Sequence, residues 1–296
     1  MLLWVVGAVV VAAVVWRAKY MRDLTRLTLS RRVLGADGIV VGGEGFVLER
    51  AEAPAVLLLH GGGDTPQTLR YLATALHARG FHVAAPLLPG HGRTVRDFAR
   101  VTADQLIDAT DRSYRDLKGR HKWVAVIGLS MGGALAANLA AGVPDLPALG
   151  LVAPYLGMPP RVERAARLAW LWGIFIPAVR SGDAASILDT QELHRSLAYG
   201  VFTAAALSAL RDLMRRALDA LPRVVAPTLI IQSRMDNRIA SADTERAFAL
   251  LGAHEKRLEW ITGAGHVITV DFGHERVIGA LVAWMEAHAP IRSQSA

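Results

Sequence analysis

Apolar positions along this chain fall into six short blocks, at residues 56–59, 81–85, 123–127, 149–153, 228–232 and 257–261. Most of these blocks lack polar alternation, which marks strands buried on both faces. Between them the spacing turns helical. Residues 66–79 predict a helix that stops at Gly80, and residues 102–118 predict an amphipathic one. Residues 134–141, 241–251 and 272–288 predict three more. Strands alternating with helices imply a mostly parallel sheet covered on both faces. Ahead of this series, residues 39–41 and 46–48 flank Gly42-Gly43-Glu44-Gly45 and predict an opening hairpin. Residues 155–222 break the alternation. At about 70 residues this stretch is longer than an ordinary crossover, so it predicts a helical cap inserted over one end of the sheet.

The N-terminal pattern is different. Residues 2–16 are all apolar or small, with Trp4 and Trp16 near the two ends, and Arg17, Lys19, Arg22 and Arg26 follow. A cleavable leader would carry its charge before the apolar run. The order here instead predicts a short membrane anchor, with the basic side and the rest of the chain in the cytoplasm. Residues 17–35 are then a basic connector against anionic headgroups. The expected organisation is an anchor and connector over 1–35, a core formed by 36–154 and 223–296, and a cap over 155–222.

Composition narrows the options. The 296 residues are 52% hydrophobic and 20% charged, which suits a folded chain. The net charge is +7, but the basic residues are scattered and not interleaved with aromatics, so no nucleic acid is expected as a partner. There is no cysteine and no metal-ligand spacing, so neither a metal nor a cofactor is implied.

The chemistry is carried by Gly128-Leu129-Ser130-Met131-Gly132. It is a G-x-S-x-G elbow lying between a strand block and a helix block. A serine at such a turn is held in strained geometry with its hydroxyl above the sheet. A hydroxyl needs a base to become nucleophilic, and the base needs a carboxylate to fix its tautomer. His266 and Asp236 each follow a strand block, in the chain order Ser, Asp, His. His60 and His91 precede the serine and read as loop braces. His121, His274 and His288 lie on or beside regular elements. Asp271 reads as a helix N-cap, and Asp243 lies at a helix start. The N–H groups of Met131 and of Gly62, in His60-Gly61-Gly62-Gly63, are the candidate donors to an oxyanion.

From about residue 38 to 290 the chain resembles the α/β-hydrolase superfamily, and within it the bacterial carboxylesterase and monoacylglycerol lipase group. The resemblance rests on Leu58-Leu59-His60-Gly61, Pro89-Gly90-His91-Gly92, the elbow, the stretch from Pro227 to Asp236, and Gly265-His266-Val267-Ile268-Thr269. It implies an α/β-hydrolase fold with Ser130 as nucleophile, Asp236 as orienting acid and His266 as base. It also implies cleavage of carboxylic esters of medium-to-long acyl chains, monoacylglycerols included, through an acyl-enzyme. Thioester, lactone or acyl-transfer chemistry on the same triad stays open, as does a hydrolase-fold binding protein without catalysis. The chain departs from the group at Gly62, where a bulkier residue is usual, and in its N-terminal segment.

Overall fold

The computed structural model describes residues 1–30, 32–180 and 186–290. Among the described residues nine strands form, β1 (Phe46–Leu48), β2 (Ala55–Leu59), β3 (His82–Ala85), β4 (Val124–Leu129), β5 (Leu149–Val152), β6 (Ala178–Arg180), β7 (Val201–Thr203), β8 (Thr228–Ser233) and β9 (Lys256–Ile261). Seven of them make one sheet in the order β1-β3-β2-β4-β5-β8-β9, while β6 and β7 pair separately. Every neighbouring pair from β3 to β9 is parallel, and β1 alone runs antiparallel, on the edge of β3. This is the α/β-hydrolase architecture that the block pattern implies.

The sheet splits its side chains by alternation, as the pleat requires. Val56, Leu58, Ala125, Ile127, Leu229 and Ile231 face helices α2 (Arg70–Ala78) and α11 (His274–His288). Leu57, Leu59, Val124, Val126, Leu149 and Ile230 face the other layer. That layer contains α4 (Ala103–Lys118), α5 (Met131–Ala141) and α10 (Ser241–Leu250), with short α3 (Val95–Phe98) beside it.

The expected hairpin does not form. Val40 makes an isolated bridge to Leu34, and β1 pairs with β3 in the register Val47↔Ala84. The reason lies in the turn. The Gly42 N–H donates to the Glu44 carboxylate and the Val40 N–H to the Gly92 carbonyl, so these donors are not free for a ladder between the two segments.

The insertion carries α6 (Pro160–Arg167), α7 (Ala169–Trp172), α8 (Thr190–Arg195) and α9 (Ala204–Ala220), together with the unforeseen β6–β7 ribbon. Helix α9 belongs to the core: Leu213 and Ala217 are fully buried in the layer that holds α5.

At the N-terminus α1 (Leu2–Leu29) is one continuous helix. Among the described residues no helix is long and apolar enough to cross a membrane. The apolar run is 15 residues, shorter than a full span, and the same helix then continues onto the protein surface. Trp4, Val11 and Trp16 stay exposed, but Met21 and Thr28 are buried and Tyr20 and Leu24 pack on the core. The Tyr20 hydroxyl donates to the Ala178 carbonyl at 3.1 Å, and Arg17 donates to the carbonyls of Gly173 and Ile174. The segment read as a connector therefore turns one face to the protein, with Met21 and Thr28 buried and Arg17 and Tyr20 bonded to the insertion.

Candidate active site

Ser130 stands between β4 and α5 with φ 55° and ψ −115°, a backbone conformation that L-residues avoid. Two glycines make the turn possible. A Cβ on Gly128 would overlap the Gly132 carbonyl, and one on Gly132 would overlap the Leu59 carbonyl. The Ser130 N–H donates to the Val152 carbonyl, and its own carbonyl accepts from the Tyr155 N–H, both at 2.9 Å. The strained residue is thus pinned by the neighbouring strand and the chain beyond it.

Three side chains from separate strand ends meet here. His266 Nε2 lies 2.7 Å from Ser130 Oγ, and His266 Nδ1 lies 2.7 Å from Asp236 Oδ2. With its proton on Nδ1, the imidazole donates to the carboxylate and accepts from the hydroxyl. The structure thus brings together all three residues picked from the sequence. Asp236 is held by a full set of donors. Gln232 Nε2 donates to Oδ2 at 2.7 Å, and the N–H groups of Arg238 and Ile239 donate to Oδ1 at 2.7 and 3.0 Å. Burial pushes this carboxyl up, but His266 and the two backbone donors outweigh it and hold it below its ordinary value.

The two oxyanion candidates are also adjacent. Met131 opens α5, where the first N–H groups have no partner within the helix. A Cβ placed on Gly62 would lie 3.3 Å from the Met131 sulfur, so the β2 loop passes close over the helix start. His60 fixes that loop. It is fully buried, its Nδ1–H donates to the Gly61 carbonyl at 2.9 Å, and its Nε2 accepts from the Leu88 N–H at 3.0 Å. Burial drives its pKa down to about 3, and that of His91 down to about 4. Both rings are neutral braces, which is the role expected from their place in the chain.

Asp271 is a correction. It does not cap α11, whose N-cap is Gly273. Fully buried, it accepts four N–H bonds, from Leu188 (2.9 Å), Asp189 (2.8 Å), Gly265 (2.6 Å) and Phe272 (2.9 Å). It ties the loop carrying His266 to the insertion. The same junction is closed by the Ser186 carbonyl, which accepts from the N–H groups of His266 and Val267. Only spacing five residues past the histidine could have signalled this role, and that spacing also fits a cap.

Ser130 and His266 open into a cavity of about 810 Å³. Its walls come from the core (Gly62, Asp64, Met131), from the insertion (Ile187, Tyr199, Phe202) and from the end of α1 and beyond (Leu27, Thr28, Arg32). The last group was not foreseen, because nothing in an N-terminal run announces which interior it will reach. Asp64 is buried two residues past Gly62, and burial raises its pKa to about 6. Among the described residues no group of His, Asp or Glu side chains is arranged to hold a metal.

Comparison with known proteins agrees with this frame. The family model described as serine aminopeptidase S33 matches residues 51–272. A thermostable monoacylglycerol lipase of Bacillus sp. (strain H-257) is 28% identical over 251 residues, covering 85% of this chain and 97% of that protein. A carboxylesterase of Bacillus subtilis (strain 168) is 25% identical over 218 residues, covering 73% and 86%. The solved structure of a metagenome-derived lipolytic enzyme superposes with a TM-score of 0.76 at 29% identity, covering 83% of this chain and 98% of that one. With the family model matched across the sheet and the helices that carry the site, the chain belongs to the serine aminopeptidase S33 family of α/β hydrolases and is a hydrolase of the lipase and esterase type.

Proposed function

We propose that this protein hydrolyses carboxylic esters of medium-to-long acyl chains, monoacylglycerols among them, with Ser130, His266 and Asp236 as its triad. The observation that carries this reading is the unbroken chain of contacts Asp236–His266–Ser130, each link 2.7 Å. His266 Nε2 takes the Ser130 proton as Oγ attacks the ester carbonyl carbon. The resulting oxyanion is met by the N–H groups of Gly62 and Met131. His266 then returns the proton to the departing alcohol, leaving an acyl-serine. Water, deprotonated by the same imidazole, attacks that ester and releases the acid. Asp236 stays ionised throughout and keeps Nδ1 protonated.

Leu27, Met131, Ile187 and Phe202 among the residues that line the cavity support an apolar acyl chain. So do the relatives named for lipid esters. The exposed Trp4, Val11 and Trp16 of α1 and the exposed Trp170, Ile174 and Phe175 of the insertion support contact with a lipid surface.

The test is turnover of p-nitrophenyl esters of rising chain length by wild type and Ser130→Ala, with matched thioesters and a lactone alongside. The variant should lose about 10³-fold or more of kcat. Retained turnover, or a wild type that prefers thioester or lactone, overturns the reading.

A further inference from the structure

Asp236 and His266 reach each other from two separate loops, one after β8 and one after β9. The strand ends fix the bases of these loops. The Ser233 hydroxyl donates to the Ala264 carbonyl at 2.5 Å, and the Arg234 N–H to the Ile261 carbonyl at 2.9 Å. Further out, a residue of the insertion enters between the loops. Ser186 stands next to buried Ile187 in the cavity wall. Its carbonyl accepts from the N–H groups of His266 and Val267 at 2.8 and 3.0 Å. Its hydroxyl accepts from Arg238 Nε at 2.9 Å and donates to Asn237 Oδ1 at 3.4 Å. The approach is close: a Cβ on Gly265 would lie 2.6 Å from the Ser186 carbonyl oxygen.

These contacts close a ring. Arg238 donates its side-chain N–H to Ser186 and its backbone N–H to Asp236 Oδ1 at 2.7 Å. Asp236 Oδ2 accepts from His266 Nδ1 at 2.7 Å, and the His266 backbone N–H returns to the Ser186 carbonyl. The carboxylate serves by orienting the imidazole, and a small misplacement of a reacting group costs much of its rate. Gln232 and the Ile239 N–H hold Asp236 from its own strand and loop. Ser186 differs from them because it holds the acid loop and the base loop at once, and it belongs to neither. Leu188 and Asp189, just beyond it, are tied to Asp271 on the base side.

We propose that Ser186 is a positioning residue for the Asp236–His266 pair, its hydroxyl and carbonyl together holding the two loops so that His266 Nε2 points at Ser130. Seating of the insertion is then part of assembling the triad, beyond walling the cavity. This inference rests on the ester-hydrolase reading. The hydroxyl is the part that a substitution can remove, since every residue carries the carbonyl.

The experiment compares wild type, Ser186→Ala and Ser186→Thr on p-nitrophenyl butyrate and by proton NMR. The NMR signal is the far-downfield resonance of the His266 Nδ1–H, identified by its absence in His266→Gln. Ser186→Ala removes the acceptor for Arg238 Nε and keeps the carbonyl. Its kcat should fall roughly 3- to 10-fold, the equivalent of one hydrogen bond, with KM within about twofold of wild type. The resonance should move upfield and broaden as the contact with Asp236 loosens. Ser186→Thr keeps a hydroxyl and should recover both. Wild-type kcat in Ser186→Ala overturns the proposal. So does a loss, in kcat or in KM, with the resonance unmoved, which makes Ser186 a contact of the substrate in the cavity wall. A lower melting temperature with kcat and resonance unchanged reduces Ser186 to a contact of the fold and overturns it too. If wild type cleaves no ester, yet the resonance shifts in Ser186→Ala and returns in Ser186→Thr, the positioning role stands and the hydrolase reading has failed.

Discussion

Replacing Asp271 by asparagine removes one acceptor oxygen while leaving the shape unchanged. In the wild type each carboxylate oxygen accepts two N–H bonds, Leu188 and Gly265 on Oδ2, Asp189 and Phe272 on Oδ1. An amide keeps one of these pairs and turns its own NH₂ toward the donors of the other. Two charge-assisted bonds are lost, at about 1.5–3 kcal/mol each, so the variant should be less stable by about 3–6 kcal/mol. That is a large part of the total stability of a domain. The damage falls next to His266, through Gly265, so the surviving folded fraction should also label more slowly with a fluorophosphonate. Urea unfolding followed by tryptophan fluorescence gives the first quantity, and labelling at low temperature gives the second. Asp243→Asn is the matched control. Its ion pair is with the exposed Arg246, so it should change stability by less than about 1 kcal/mol. An Asp271→Asn protein within about 1 kcal/mol of wild type would refute the clamp.

Three other changes follow from the same structure. Asp236→Asn should cut kcat by about 10⁴-fold with little change in KM, because the amide favours the wrong imidazole tautomer; steady-state kinetics on a soluble ester would detect anything milder. Deleting residues 1–32 should lower both stability and turnover even of short dissolved esters, since Met21 and Thr28 are buried and Leu27 and Arg32 line the cavity; a truncated protein with wild-type melting temperature and kcat/KM would show that α1 is dispensable. Acid should destabilise the protein through His60. Its folded pKa is about 3 against an ordinary 6.5, so below pH 6.5 the unfolded chain takes a proton that the folded one refuses, and up to about 4 kcal/mol is lost by pH 3. His60→Gln should flatten that slope between pH 6.5 and 3, and urea midpoints with the same slope in both proteins would remove His60 as its source.

The central strands were legible because burial on both faces leaves continuous apolar runs, and the meeting of Ser130, Asp236 and His266 because each follows such a run. Other features depend on tertiary neighbours that no local pattern encodes. Phe46–Leu48 carries a strand signal but no mark of its partner, and β3 rather than residues 39–41 receives it. Asp271 has the spacing of a cap, but two of its four donors come from positions 83 and 82 residues away. The basic residues after Trp16 suit a headgroup region equally well as a protein surface. The burial of Met21 and Thr28 and the bonds of Arg17 and Tyr20 to the insertion separate the two.

The opening helix has 28 residues in one piece, about 42 Å of rod at 1.5 Å per residue. It is fastened to the insertion through Arg17 and Tyr20, and the segment after it through Arg32. Its exposed first half and its cavity-lining end are therefore two ends of a lever. A molecule at the outer end would change affinity in the cavity only as far as it favours one position of the inner end over another. The relation is reciprocal: a ligand that favours that position of Arg32 must strengthen attachment at Trp4 and Val11 by the same factor. Any coupling between the two ends is thus one quantity, measurable from either side.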